Sequence, residues 1–177
     1  IEGGDLYDVF EAMGYAMAED RLFQMDLYRR TARGTMSELL GAEFRGQDFL
    51  SGDILIRTIN YSEDEYEEMF NGLSEDAQTA LQGYVDGINR RVFEFYAGSW
   101  MTMPFEYWLA SFLSVFELDG GSILPTPWTV NDILAWMAVL QRQFDPEALD
   151  TAQLDNYVLL QTWMAVYPTE ALAMFSD

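Results

Sequence analysis

The sequence predicts a mainly α-helical chain. Apolar residues recur at the spacing of one helix face along most of its 177 residues. Acidic and hydroxyl residues, which favour helix N-termini, precede several of these stretches. Almost no segment alternates apolar and polar residues as a half-buried strand does, and no linker separates the helices. We therefore expect residues 1–177 to form a single unit.

The first predicted helix is long and amphipathic. Asp5 can cap its start, and the apolar residues between Leu6 and Met25 recur at helical spacing. The pattern runs to Arg33-Gly34, where the glycine favours a stop, and we expect a kink at Gly14. A short helical turn over Met36–Leu40 follows.

Two further helices are predicted from their caps. Ser62 and Glu65 match a capping box for a helix that reaches about Phe70. Ser74 opens the next helix, and Gly98 stands where a left-handed C-terminal residue would end it. The predicted buried face of that second helix consists of Ala77, Leu81, Tyr84, Val85, Ile88 and Val92.

The pattern is less regular in the second half of the chain. Residues 99–127 mix aromatic residues with Pro and Gly, which predicts an irregular and largely buried segment. Thr129 and Asp132 then frame a capped start for a helix over Val130–Gln143. Helical spacing returns over Leu149–Tyr167.

The composition excludes most catalytic chemistry. The chain has 30 acidic residues and nine basic ones, all Arg, and it contains no Lys, His or Cys. Without His or Cys it has no Ser-His-Asp triad, thiolate nucleophile or ordinary zinc site, and without Lys it has no Schiff base or complete P-loop. Carboxylate, hydroxyl and Arg chemistry remain, and we expect no organic cofactor.

The charge of the chain limits its partners. A net charge of −21 repels phosphate backbones and anionic lipid, so we expect no nucleic acid and no membrane as partner. The longest uninterrupted apolar run, Ile133–Leu140, is far shorter than the ~20 residues of a membrane span. We interpret the absence of Lys beside 30 acids as halophilic adaptation, because the Debye length of about 3 Å at 1 M salt weakens self-repulsion. The alternative is high charge that serves ordinary solubility.

Three segments carry a family resemblance. They are GYAMAEDRLFQMDLYRRTARGTMSELLG over residues 14–41, LQGYVDGIN over residues 81–89 and PWTVND over residues 127–132. Together they resemble the signature segments of the penicillin acylase (penicillin amidase) family. The resemblance implies that this mainly α chain is the α subunit, the smaller chain of an αββα N-terminal-nucleophile hydrolase heterodimer.

The resemblance also implies where the reaction takes place. Such hydrolases are secreted or periplasmic, and each is made as a zymogen that cleaves itself into an α chain and a larger β subunit. The N-terminal Ser of the β subunit attacks the amide carbonyl of a small N-acyl amide substrate, with its own α-amine as base. No catalytic residue is then expected in this chain, in agreement with a composition that lacks His, Cys and Lys.

The same family resemblance assigns candidate substrate-binding residues. It places Leu140, Gln143 and Phe144 at positions that line the acyl pocket in penicillin G acylase-like members, where the family has Met, Arg and Phe. Their i, i+3, i+4 spacing puts all three on one helix face. The alternative is ordinary core packing of an apolar helix face.

A calcium site is the one metal site that the resemblance implies. Several relatives bind Ca²⁺ through an α-chain Glu, and Gln153 stands at that position here. A Gln carbonyl is a calcium ligand, and Glu147 or Asp150 are alternates, because a hard cation accepts oxygen ligands of each kind. The alternative is a solvated acidic loop.

Other function classes stay open from the sequence alone. Within the family, the substrate is a penicillin or related N-acyl compound, or an acyl-homoserine lactone. Outside it, the chain is a non-catalytic helical interaction protein, or a hydrolase that uses a pair of its 30 carboxylates.

Two groups of residues are predicted to serve structure. Arg29, Arg30 and Arg33 concentrate basic charge near a helix end, which favours ion pairing there or at a partner interface over anion capture. Gly14 and Gly83 are predicted to allow close packing of helices.

Overall fold

A computed structural model describes residues 3–98, 104–107, 109 and 124–144 of the chain. The fold is mainly α-helical, as predicted. The helices are α1 (Leu6–Arg33), α2 (Met36–Leu40), α3 (Phe49–Ile59), α4 (Glu63–Asn71), α5 (Glu75–Ala97) and α6 (Val130–Phe144). Strands β1 (Glu43–Phe44) and β2 (Gln47–Asp48) pair antiparallel, with Glu43 opposite Asp48. None of the helices in the described ranges is long and apolar enough to cross a membrane.

The chain divides into two compact units, Ile1–Ala138 and Val139–Asp177. The contacts reported below lie within the first unit. Of the second unit, the described residues are the last turns of α6, Val139–Phe144. The predicted helix over Leu149–Tyr167 and most of the segment 99–127 lie outside the described residues, and the packing of residues 1–177 as a single unit stays a prediction.

Helix α1 has the predicted bounds and caps. Asp5 accepts a hydrogen bond from the Asp8 backbone N–H at 2.9 Å, and Gly34 ends the helix in the left-handed conformation, with φ 62° and ψ 50°. The expected kink at Gly14 is wrong, since the non-helical backbone inside α1 lies at Arg21. Gly14 instead has a packing role.

Glycines bring the backbones of α1 and α5 together. A Cβ on Gly14 would stand 2.0 Å from the carbonyl oxygen of Tyr84, and one on Gly87 would stand 2.0 Å from that of Glu11. A Cβ on Gly83 would meet the Tyr7 carbonyl oxygen at 2.7 Å. Because no side chain fits these positions, the two helices approach as only glycine permits, which confirms the prediction for Gly14 and Gly83.

Two tyrosine hydrogen bonds flank this close approach. Tyr7 Oη donates to Asp86 Oδ2, and Tyr15 Oη donates to Glu94 Oε2, each at 2.8 Å. The bond to the Asp86 carboxylate raises the pKa of Tyr7 to about 12, so this phenol donates throughout the physiological range.

The hydrophobic core lies against the same helix pair. It contains apolar residues of α1, α2, α5 and α6, together with Tyr107 and Trp128. Its buried members are Ala18, Leu22, Met25, Leu39, Val85, Ile88, Val92, Tyr107, Trp128 and Ile133. The predicted α5 face is thus confirmed at its centre, whereas Ala77, Leu81 and Tyr84 are half-buried.

The predicted N-terminal caps of α4 and α5 form in the structure, and the predicted C-terminal conformation of α5 does not. Ser62 and Glu65 form both hydrogen bonds of a capping box at the start of α4. Ser74 caps α5 by accepting from the Ala77 backbone N–H at 3.3 Å. Gly98 does not adopt the predicted left-handed conformation, because its backbone is extended, with φ −92° and ψ −169°.

Helix α3 is a helix that the apolar pattern did not predict. Of its eleven residues only Asp53 is buried, Phe49, Ile56 and Ile59 are half-buried, and Leu50, Ile54 and Leu55 are exposed. Because apolar residues lie on both sides of the helix, they form no single stripe of helical period. Its four β-branched residues and Gly52 also have low helix propensity.

The glycine packing predicts opposite effects of two alanine substitutions. Gly87→Ala should lower the unfolding free energy of the protein by about 3 kcal/mol, since the added methyl meets the backbone of α1 and the helices must separate. Gly52→Ala is the matched control, because a Cβ there meets nothing within 4 Å and alanine favours the helix by roughly 0.5–1 kcal/mol. Chemical unfolding of the protein as purified measures both values, and equal effects would contradict the assigned contact.

Candidate functional site

The last turns of α1 contain a buried ion-pair cluster. Asp26 is 2% exposed and pairs with two arginines, one turn further along the helix. Arg29 donates to Asp26 Oδ1 through Nε at 3.1 Å and through Nη2, and Arg30 Nε donates to Asp26 Oδ2 at 3.1 Å. The i+3 and i+4 spacing places both guanidinium groups beside the carboxylate. They compensate a charge that would be costly to bury alone.

Arg29 also binds a segment distant in sequence. Its Nη1 donates to the carbonyl oxygens of Thr126 at 3.1 Å and Pro127 at 3.2 Å, and its Nη2 donates to Thr126 Oγ1 at 2.8 Å. The guanidinium carbon lies 4.7 Å from the centre of the Trp128 ring. Planar donors and ring stacking of this kind suit Arg and not Lys. One side chain therefore joins α1 to the segment that leads into α6.

Asn89 of α5 holds the same segment from another side. Its Nδ2 donates to the Trp128 carbonyl oxygen at 2.8 Å, and its Oδ1 accepts from the Trp128 backbone N–H at 2.7 Å. The second and third signature segments therefore meet here, at the end of LQGYVDGIN and the start of PWTVND. The motif spacing had marked Asn89, but it carried no signal of this partner.

Arg33 ties α1 to the first turns of α4 and α6. Its Nε donates to Asp132 Oδ1 at 3.0 Å, and its Nη1 lies 2.6 Å from Glu63 Oε1. Burial lowers the pKa of Arg33, but the hydrogen bonds to Glu63 and Asp132 outweigh it and raise that pKa. The bond from Arg33 lowers the pKa of the Glu63 carboxyl. Asp132 also accepts from the Thr129 backbone N–H at 2.8 Å, so the predicted cap of α6 is confirmed.

A cavity of about 380 Å³ lies beside these arginines. It is lined by Arg29, Arg30, Arg33, Thr35, Glu38, Thr126, Pro127 and Asp132. The arginines are paired with Asp26, Asp132 and Glu63, so the cavity does not concentrate uncompensated positive charge. The prediction of ion pairing near the helix end is confirmed.

The candidate acyl-pocket residues share one helix. Leu140, Gln143 and Phe144 all lie on α6, as their spacing predicted, and Leu140 is half-buried. The side chains of Gln143 and Phe144 lie outside the described part of the structure. Their role as substrate-binding residues stays a prediction.

The candidate calcium ligands fall outside the described ranges. This applies to Gln153 and to its alternates Glu147 and Asp150. Within residues 3–98, 104–107, 109 and 124–144 no group of three or more acidic side chains is arranged to hold a metal ion. The calcium site therefore stays a prediction, and no step of a mechanism is derived from it.

The buried cluster and an exposed ion pair predict different substitution costs. Arg29→Gln should lower the unfolding free energy by about 3 kcal/mol, the low end for breaking a buried pair, because Arg30 still pairs with Asp26. The control is Arg21→Gln, whose pair with Asp20 is exposed, and it should cost less than about 1 kcal/mol. Chemical unfolding checks both, and similar costs would show that Arg29 does not hold the 126–128 segment.

Comparison with known proteins places these features in a family. The family model described as penicillin amidase matches residues 1–172 of the chain. Penicillin G acylase of Escherichia coli is 28% identical over 179 residues, an alignment that covers all of this chain and 19% of that protein. The acyl-homoserine lactone acylase QuiP of Pseudomonas syringae pv. syringae is 30% identical over 95 residues, covering 54% of this chain and 11% of that protein.

A solved structure agrees with the sequence comparison. The thermostable penicillin G acylase from Alcaligenes faecalis contains a chain with 25% sequence identity and a TM-score of 0.68. The match covers 98% of this chain and 82% of that one. This chain spans about a fifth of the E. coli protein and most of a single chain in the solved structure. It therefore belongs to the penicillin amidase family and corresponds to the N-terminal, α-subunit-like portion of penicillin G acylase.

Proposed function

We propose that the chain is the α subunit of an N-terminal-nucleophile amidohydrolase that hydrolyses the side-chain amide of penicillins or related N-acyl compounds. The supporting observation is a difference in coverage. The chain matches 19% of the E. coli polypeptide and 82% of one chain in the A. faecalis structure, so the matched chain there is much shorter than the E. coli polypeptide. A division of the family polypeptide into a smaller and a larger chain accounts for that difference.

The proposed division of labour rests on the family resemblance. The resemblance assigns the nucleophile and its base to the N-terminal Ser of the larger β subunit, and the lack of His, Cys and Lys in this chain agrees with that assignment. The Ser oxygen bonds to the acyl carbon, the amide C–N bond breaks and the amine leaves with a proton. Water then releases the acyl group from the ester and restores the Ser hydroxyl.

The contribution of this chain is scaffold and part of the acyl pocket. Helix α6 begins at the residues that Arg29, Asn89 and Arg33 hold, and it carries the three candidate pocket positions. Leu140 and Phe144 supply apolar surface for an acyl chain, and the neutral Gln143 amide attracts a substrate carboxylate less than the family Arg would. The proposed substrate is thus an amide with an apolar acyl group.

Hydrolysis of acyl-homoserine lactones is the second candidate within the family. It is supported by the match to the QuiP acylase, which is 30% identical over 54% of this chain. The two reactions share the amide chemistry and differ in the acyl chain and the leaving amine, so a substrate panel distinguishes them.

Intact-mass analysis of the native assembly tests the proposed function. We expect this chain to purify with a larger polypeptide that begins with Ser, and phenylmethylsulfonyl fluoride should transfer its sulfonyl group, with loss of HF, to that polypeptide alone. The inhibitor should abolish amide hydrolysis in proportion to the labelled fraction. A chain of 177 residues that hydrolyses amides by itself, or that purifies as a stable monomer without a partner, would contradict the proposal.

Substitution of Leu140 tests the acyl pocket. Leu140→Ala should lower kcat/KM for a bulky apolar acyl amide about tenfold or more, because lost apolar contact costs roughly 1–3 kcal/mol, and it should affect a short acyl amide less. Gln141→Ala is the control, since Gln141 is exposed on α6 and its i+1 spacing from Leu140 takes it off the shared face. Parallel kinetics on a series of acyl chains measure the effect, and an unchanged preference in the Leu140 variant would remove this residue from the pocket.

A further inference from the structure

Helix α3 buries a carboxylate and exposes part of its apolar surface. Asp53 is 5% exposed, Phe49, Ile56 and Ile59 are half-buried, and the Arg57 side chain is 56% exposed. Leu50, Ile54 and Leu55 are 46%, 57% and 52% exposed. In an ordinary amphipathic surface helix such apolar residues face the core.

Hydrogen bonds of Asp53 and Arg57 fix the orientation of α3. The Asp53 carboxylate accepts from the backbone N–H groups of Met36 and Ser37 at 2.9 and 2.7 Å, and from Ser37 Oγ at 2.5 Å. Arg57 Nε donates to the Gly34 carbonyl oxygen at 2.7 Å. Rotating α3 to bury Leu50, Ile54 and Leu55 would break these bonds. The first backbone N–H groups of α2 would then lose their acceptor.

A close backbone contact fixes the helix at the same place. A Cβ on Gly34 would stand 2.6 Å from the carbonyl oxygen of Asp53, and Gly34 has a positive φ of 62°. Just past the end of α3, Asn60 Nδ2 donates to the Ala32 carbonyl oxygen at 2.8 Å. These contacts therefore hold α3 in one orientation, with the same side exposed.

Five exposed residues without charge form a surface that we call the α3 face, and the exposed Arg57 borders it. Its members are Leu50, Ser51, Ile54, Leu55 and Thr58. Its two hydroxyl groups already donate hydrogen bonds, Ser51 Oγ to Asp48 Oδ2 at 2.6 Å and Thr58 Oγ1 to the Ile54 carbonyl oxygen at 2.7 Å. The face therefore offers a partner mainly methyl and methylene groups.

We infer that the α3 face docks on the larger chain of the same family polypeptide. This inference rests on the proposed function, which supplies that partner. The chain covers only 19% of its E. coli relative, so about four-fifths of a related polypeptide lies outside it. An apolar, uncharged face fits the core of a permanent interface, where charged residues are depleted. The partner surface is accordingly expected to be apolar and free of unpaired acids.

Other occupants of the face are less well matched to its chemistry. Two copies of this chain would bring net charges of −21 together, and the repulsion between them extends over a Debye length of about 8 Å at physiological salt and about 3 Å at 1 M salt. An anionic membrane surface meets the same repulsion. Both become outcomes of the experiment below.

Cysteine labelling of the native assembly tests the docking. The chain has no Cys, so single substitutions introduce the one thiol that labels in this chain, and its intact mass reports the label whatever the larger chain contains. The variants are Leu50→Cys and Ile54→Cys, and the control is Met69→Cys on α4, where the native side chain is 38% exposed. Each rate with N-ethylmaleimide is divided by the rate for the same variant unfolded in urea.

We expect at least tenfold slower normalised labelling at Leu50 and Ile54 than at Met69 in the assembly. Free labelling at Ile54 in an assembly that retains the larger chain would overturn the docking and leave the proposed function standing. Equal protection at Met69 would also overturn the assignment to α3. Protection in particles that contain two copies of this chain, or vesicle-bound chain, and no larger chain would assign the face to those occupants and contradict both proposals.

A charge substitution provides a second readout. Ile54→Glu should release the larger chain on dilution at least tenfold more readily than Ile54→Leu, because a carboxylate would be buried against an apolar surface. Recovery of the larger chain with affinity-tagged variants measures this release. Equal retention by the two variants would overturn the inference.

Discussion

The buried carboxylate of Asp26 is the constraint on which the rest of the arrangement depends. An acid that is 2% exposed inside a helix must be paired, and its two partners are fixed by the helix spacing as Arg29 and Arg30. Once Arg29 is held there, its remaining donors bind the carbonyl groups of residues 126 and 127. The start of α6 is thereby located by a charge in α1. The signature residues of the family are, in this part of the molecule, residues that hold helices together.

The sequence predicted the elements whose signals are local. Helices α1, α4, α5 and α6 follow their apolar periodicity and caps, because a cap is satisfied within three residues of itself. The α3 helix was missed although Asp48 caps its start locally. Its orientation could not be predicted, because Asp53 caps α2 at residues 16 and 17 positions away. The kink was expected at Gly14 from conformational freedom, whereas that glycine is needed for a close backbone contact.

The candidate site was predictable to the same degree. The three arginines, the acyl-pocket positions and the motif glycines were all identified from spacing or resemblance. The distant partners of Arg29 were not, because two of them are backbone carbonyl groups 97 and 98 residues away, and every residue has a carbonyl group. A hydrogen bond to a backbone group does not restrict which residue type occupies the distant position. The substrate-binding role of α6 and the calcium site stay predictions.

The pairing of α1 with α5 has a consequence for biosynthesis. Tyr7 meets Asp86 across 79 positions, so the N-terminal part of α1 does not meet α5 until the ribosome has made that much more chain. At roughly 5–20 residues per second, the interval is about 4–16 s. During this interval, the apolar face of the first helix is exposed to non-native contacts. A holding chaperone that engages the nascent segment early would therefore raise the yield of this polypeptide more than one that acts after release.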